Sequence, residues 1–247
     1  MNNLNFEALS IYDGLPKTKT IQWDMTIRSK EKLKLKASSY NISMSQFVRA
    51  AVHSNDIIVQ LDPDGNIARN LIETNDILTS SLRNKFISTD ICNKVVYKCN
   101  EVFIKLNEVS EQLPSISADF TSADEVITTV NSEQLKTDHF QFKDCEKLNE
   151  FIETKAAMLD LNKSQLLRIS TLADDTVYLL KHSGYIARYI IEIQNNLSIA
   201  LHEEKLEDKY EKIIRSKIED IFNKFIEVTL MLTNINKIED SSNEGGE

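Results

Sequence analysis

Glycine and proline are scarce in this chain, five and three in 247 residues. A sheet-rich fold needs a turn roughly every ten residues, so this little punctuation argues against one. With abundant Leu, Ile, Lys, Glu and Asn, it points to long helices and a mainly α class. Cysteine is equally sparse, and Cys92, Cys99 and Cys145 make no CxxC pair, so neither a zinc ligand set nor a disulfide framework is indicated. No stretch approaches the roughly 18 apolar residues of a membrane span, and the opening MNNLNFEALS lacks the basic start and apolar core of a secretion signal. The expectation is a cytoplasmic protein, not inserted in a membrane, with reduced, packed thiols. Catalytic signatures are missing too: His53, His139, His182 and His202 are scattered, and there is no HExxH and no glycine-rich phosphate loop. This leads to the expectation of a non-enzyme with no cofactor and no metal.

Positive charge is in short supply overall, with a net charge of −9, which at first sight disfavours nucleic acid as a partner. The distribution matters more than the total. From Lys17 to His53 the chain carries eight basic residues against only Asp24 and Glu31, whereas from Lys136 to Ser170 six basic residues meet six acidic ones. The acidity is concentrated downstream.

What is present is a duplication. Shifting the sequence by 119 positions aligns 18–113 with 137–232 without a gap, and about a quarter of the 96 pairs are identical. Chance matching gives roughly 6%. IQWD meets FQFK, SQFVR meets SQLLR, and GNIARNLIE meets GYIARYIIE. The recurrent GxIAR is read as a packing solution inherited by both copies. The chain therefore divides into 1–17, a flexible N-terminus; 18–55, a first unit of strand and two helices; 56–113, a helical hairpin; 114–136, a linker rich in Ser, Thr and Asp; 137–174 and 175–234, the second copies of unit and hairpin; and 235–247, an acidic disordered tail.

Each copy opens with period-two alternation. Ile21 and Trp23 interleave with Thr20, Gln22 and Asp24, and Phe140 and Phe142 with His139, Gln141 and Lys143, which reads as a strand. A polar helix follows, with Leu33, Ala37 and Tyr40 on one side in the first copy and Leu148, Ile152, Ala156 and Leu159 in the second. After the turns Asn41-Ile42-Ser43 and Asp160-Leu161-Asn162, Ser43 and Asn162 can cap another helix, with Phe47, Val48 and Val52, or Leu166, Leu167 and Leu172, as its apolar positions. Asp64-Gly65 and Ser183-Gly184 punctuate the entry to a third helix (Ile67, Leu71, Leu78, Leu82; Ile186, Ile190, Leu197, Leu201). The fourth carries a heptad seam, Ile91 to Leu113 and Tyr210 to Leu232. A two-faced strand cannot stand alone, so Ile21 and Trp23 are expected to meet Phe140 and Phe142 in one ribbon, and the hairpins to pair as an antiparallel bundle or stalk.

A strand, a basic helix, a short turn and a second helix opening SMSQFVR or NKSQLLR resemble the ribbon-helix-helix family of DNA-binding proteins over 18–54 and 137–173. The resemblance implies two units, one short strand each, pairing as an antiparallel ribbon that enters the major groove of double-stranded DNA. Its base readers would be Thr20, Gln22, Asp24, His139, Gln141 and Lys143. Gln suits adenine, Lys donates to guanine, and Asp only accepts, so Asp24 needs a base amino group or a contact with Lys143 across the ribbon. The second helices would hold phosphate with Ser43 and Ser45, or Asn162, Lys163 and Ser164, although an ordinary cap needs no ligand. Arg49 and Arg168 recur at one helical position and are read as solvated or salt-bridged.

The long helices after the ribbon units resemble relaxosome accessory proteins of the mobilisation-protein-C group. By that resemblance the chain would bind an origin of transfer in conjugation or plasmid mobilisation, with a relaxase and a coupling ATPase as partners, as an intramolecular pseudo-dimer open to further oligomerisation. Tyr97 and Tyr210 do not make it a relaxase, because the clustered-histidine metal site of that chemistry is missing. Two alternatives remain open: a transcriptional repressor or plasmid copy or partition regulator, and an interaction scaffold without DNA binding.

Overall fold

The computed structural model describes residues 4–54, 57–114 and 137–236. Its first half forms α1 (Ala8–Ile11), β1 (Lys19–Thr26), α2 (Ile27–Ser39), α3 (Met44–Val52), β2 (Ile58–Leu61), α4 (Asn66–Ser81) and α5 (Thr89–Gln112). The second half repeats the order from the strand onward: β3 (Thr137–Asp144), α6 (Glu146–Met158), α7 (Lys163–Leu172), β4 (Val177–Leu180), α8 (Ser183–His202) and α9 (Asp208–Ile235). The chain is mainly α. Strand β1 pairs with β3, and β2 with β4. The second pair corrects the expectation of one strand per copy. Its residues are short apolar runs, Ile58-Val59 and Val177-Tyr178-Leu179-Leu180, too brief to show a period. The expected linker and tail lie outside the described residues except for Pro114, Ile235 and Asn236.

The described residues fall into two units, 4–54 and 57–59 with 137–177 and 236, and 60–114 with 178–235. In the first, β1 buries Ile21, Trp23 and Met25 and exposes the residues between them. Trp23 meets Phe140 edge-on at 5.0 Å between ring centroids, and Ile21 lies opposite Phe142. Each such burial stabilises by about 1.5–3 kcal/mol, which a two-stranded ribbon gains only by resting on helices. Those helices supply Leu33 and Ala37 from α2, Leu148, Ile152 and Ala156 from α6, Phe47, Val48 and Val52 from α3, and Leu166, Leu167 and Leu172 from α7. The α2–α3 and α6–α7 turns are built alike. Asn41 and Asp160 take left-handed φ of 56° and 59°, and the following N–H groups of Ile42 and Leu161 donate back to Ala37 and Ala156. This six-to-one bond closes each helix end.

The N-terminal segment, expected to be flexible, instead packs from Leu4 onward. Ala8 and Tyr12 are buried, and the Tyr12 hydroxyl is 2.9 Å from His53 Nε2. Two contacts one helical turn apart are too few for a periodic signal.

In the second unit α4, α5, α8 and α9 surround one core. It contains Ile67, Leu71 and Leu78, Val95 to Val109 along the α5 seam, Ile186, Ile190 and Leu197, and Ile214 to Leu232 along α9. Leu201, expected in that core, is 41% exposed in the last turn of α8, and Leu206 in the following connection is buried instead. Gly65 has φ of 65°, and an added Cβ would come within 2.9 Å of the His182 ring, so glycine is required there. The Asp62 carboxylate accepts from the N–H groups of Asn66 and Ile67 at 3.0 and 2.9 Å, starting α4. In the second copy His182, not Gly184, takes the left-handed position. No described helix is long and apolar enough to cross a membrane.

Candidate nucleic-acid interface

The β1–β3 ladder is antiparallel and pairs Thr20 with Lys143, Gln22 with Gln141 and Asp24 with His139. Gln22 and Gln141 are also equivalent under the 119-residue shift, so a local two-fold relation passes between them. Because the inward positions are committed to the core, all six of these side chains lie on the other face of the ribbon, and all six are exposed.

The two ends of this face differ. At one, Lys143 stands opposite Thr20, and the neighbouring Lys19 pairs with Glu146 at 3.0 Å. Both partners of that ion pair are about half exposed, so it contributes at most about 1 kcal/mol. At the other end, Asp24 Oδ1 is 2.5 Å from His139 Nδ1, and the Arg168 guanidinium donates to the Asp24 backbone carbonyl at 3.2 Å. The expected alternative of Asp24 meeting Lys143 is therefore corrected. An antiparallel register centred on the glutamines sets position 24 against the copy-two equivalent of position 20.

The helix starts flanking the ribbon carry matching capping boxes. The Ser43 hydroxyl accepts from the Gln46 N–H and Gln46 Oε1 from the Ser43 N–H; Asn162 and Gln165 repeat both bonds. Ser45 and Ser164 sit half-buried in these first turns, with the Ser45 hydroxyl 3.1 Å from that of Ser43. Lys163 folds back to donate to Asn149 Oδ1, with Glu153 at 3.9 Å. Ser43 and Asn162 thus have structural work as caps, and Lys163 has partners of its own.

Behind the ribbon lie further polar groups: Arg49, read from the sequence as solvated or salt-bridged, is salt-bridged, and the partners of the others were not assigned from the sequence. Arg49 Nε donates to the buried Asp144 carboxylate at 2.6 Å, and the Cys145 N–H caps its other oxygen at 2.8 Å. Lys36 Nζ donates to the carbonyls of Leu172 and Ala173 at the end of α7 and pairs with Asp174 at 2.7 Å. Its repeat equivalent Lys155 donates to Val52 and Ser54 at the end of α3. Burial holds both ammonium groups below the usual lysine range, against the opposing pull of Asp174 at Lys36. The recurrence of lysine at both positions was a readable signal. His53 stacks on Phe151 at 4.0 Å, and burial, then the Lys155 charge, hold its pKa down. Burial raises that of Tyr12, with the Cys145 and Asp144 charges adding to the rise.

Among the described residues no group of three or more His, Cys, Asp or Glu side chains could hold a metal ion. Comparison with protein-family models, with curated proteins and with solved structures finds no match to this chain.

Proposed function

We propose that this chain is a non-enzymatic, sequence-specific binder of double-stranded DNA of the ribbon-helix-helix type, acting as a relaxosome accessory protein. In this role it binds an origin of transfer and recruits or positions a relaxase, with a coupling ATPase as a further partner. One observation carries the DNA reading. Six exposed strand side chains rich in donors and acceptors are arranged about a local two-fold relation, on a ribbon whose other face is buried on four helices. A two-stranded ribbon of this width fits the major groove, where base edges are distinguishable. The first turns of α3 and α7 add N–H groups that can meet phosphate, with Ser43, Ser45, Asn162, Lys163 and Ser164 around them.

The assembly role draws support from the helical unit. On α9, Phe222, Ile226 and Leu230 recur every fourth residue and are each more than 40% exposed, giving an apolar stripe suited to a protein partner.

Gel-shift titration on the origin-proximal DNA of the host element tests the first step. Specific, salt-sensitive binding is expected, and Gln22→Ala with Gln141→Ala should weaken it by about 1–3 kcal/mol for each lost base contact. Equal affinity for random duplex would leave only a scaffold without DNA binding. Adding the neighbouring relaxase tests the second step: unchanged nicking and no association would favour a repressor.

A further inference from the structure

We infer that the ribbon reads a non-palindromic site in one fixed orientation, with Lys143 and the Asp24–His139 pair as the residues that set it. This inference rests on the DNA reading proposed above. In a ribbon made from two identical strands, both ends present the same side chains, and the half-sites must match. Here one covalent chain supplies two different strands, and the register shows where they differ. The centre is symmetric, Gln22 against Gln141. Outward from it, equivalent positions hold Asp24 and Lys143, a carboxylate and an ammonium, and then Thr20 and His139.

The consequences at the base edges are opposite. The Lys143 ammonium only donates, so it favours guanine, whose O6 and N7 accept in the major groove. The Asp24 carboxylate only accepts, so it favours the exocyclic amino group of cytosine or adenine and repels guanine O6. Contact with His139 Nδ1 at 2.5 Å and the Arg168 bond to the Asp24 carbonyl hold this end in place. A carboxylate facing DNA without such a partner is unfavourable, so rotating the site end for end costs both contacts at once.

Selection from a randomised duplex pool with the full chain, followed by titration of the enriched site, tests this. The expected site is asymmetric about its centre at the positions facing residues 24 and 143. Exchanging the base pair facing Lys143 for its reverse should weaken binding about tenfold or more. Asp24→Lys, which gives both ends the same ammonium, should convert the selected site to guanine on both sides. A palindromic wild-type site, or a site unchanged by Asp24→Lys while tight binding persists, overturns the inference and leaves DNA binding intact. Failure to enrich any sequence removes the DNA reading itself, and the inference with it.

Discussion

The two halves of the ribbon unit align without a gap under a 119-residue shift, yet equivalent residues do different work in them. Arg49 is buried on Asp144, whereas its counterpart Arg168 is exposed and reaches only a backbone carbonyl. Asp144 has Met25 as its counterpart, so the second half has no partner to copy the first. The N-terminal segment adds to the difference, since Tyr12 is buried and bonded to His53, whose equivalent is Leu172. By contrast, the lysine caps are retained on both sides: Lys36 closes the end of α7 and Lys155 the end of α3. Of the contacts that join the two halves, the lysine caps are thus present in both directions, whereas the Arg49–Asp144 pair is present in one.

The largest expected break in this comparison is at the arginine pair. Asp144→Ala should destabilise the ribbon unit by about 3–5 kcal/mol, because it strands the buried Arg49 charge. Arg168→Ala should cost under about 1 kcal/mol, as for an exposed contact. Urea unfolding followed by fluorescence of Trp23, the single tryptophan of the chain, reports this unit directly. Comparable losses in the two variants would mean that the halves are not specialised as described. The lysines offer the converse test. Lys36→Met and Lys155→Met should each cost about 2 kcal/mol, the range for hydrogen bonds to a charged group. The two losses should agree within about 1 kcal/mol, because Lys32, at 2.6 Å from Asp174, keeps that carboxylate paired when Lys36 is removed. A large difference would show that the caps are not equivalent.

What the sequence conveys of this fold depends on how many residues report each feature. The strand alternation and the α5 and α9 seams are repeated patterns, and Ile21, Trp23, Val95 to Val109 and Ile214 to Leu232 are buried where those patterns require. The six ribbon residues were legible for the same reason, since inward and outward positions follow from period two. The Asp24–His139 pair was not, because it depends on register. Placing the repeated glutamines opposite one another would have supplied that register. Asp144 and Tyr12 belong to no pattern: each is a single residue whose role comes from a partner distant in sequence, Arg49 or His53. Leu201 is a miss of another kind, since a helical period carried to the last turn ignores where the chain leaves the core.

The last effect expected, centred on a residue that the first half has and the second lacks, is a pH dependence from His53. Burial, with the nearby Lys155 charge, keeps its folded-state pKa below the ordinary histidine value, so the unfolded chain binds this proton more readily. Stability from this site is therefore full above about pH 6.5 and falls as pH drops through that value toward the depressed folded pKa. A single proton limits the slope to about 1.4 kcal/mol per pH unit. The second half has Leu172 at this position and contributes no such term, so His53→Leu, which installs the other half's residue, should flatten the dependence between pH 7.5 and 5.5. Asp174 is shifted in the same sense: burial disfavours its charged form, but Lys32 and Lys36 outweigh this and lower its pKa, so its stability is also lost as pH falls, but only from the ordinary carboxylate value of about 4 downward, outside that window. Trp23-detected urea midpoints across the window decide the point. A slope that survives His53→Leu would place the acid sensitivity elsewhere and remove this difference between the halves.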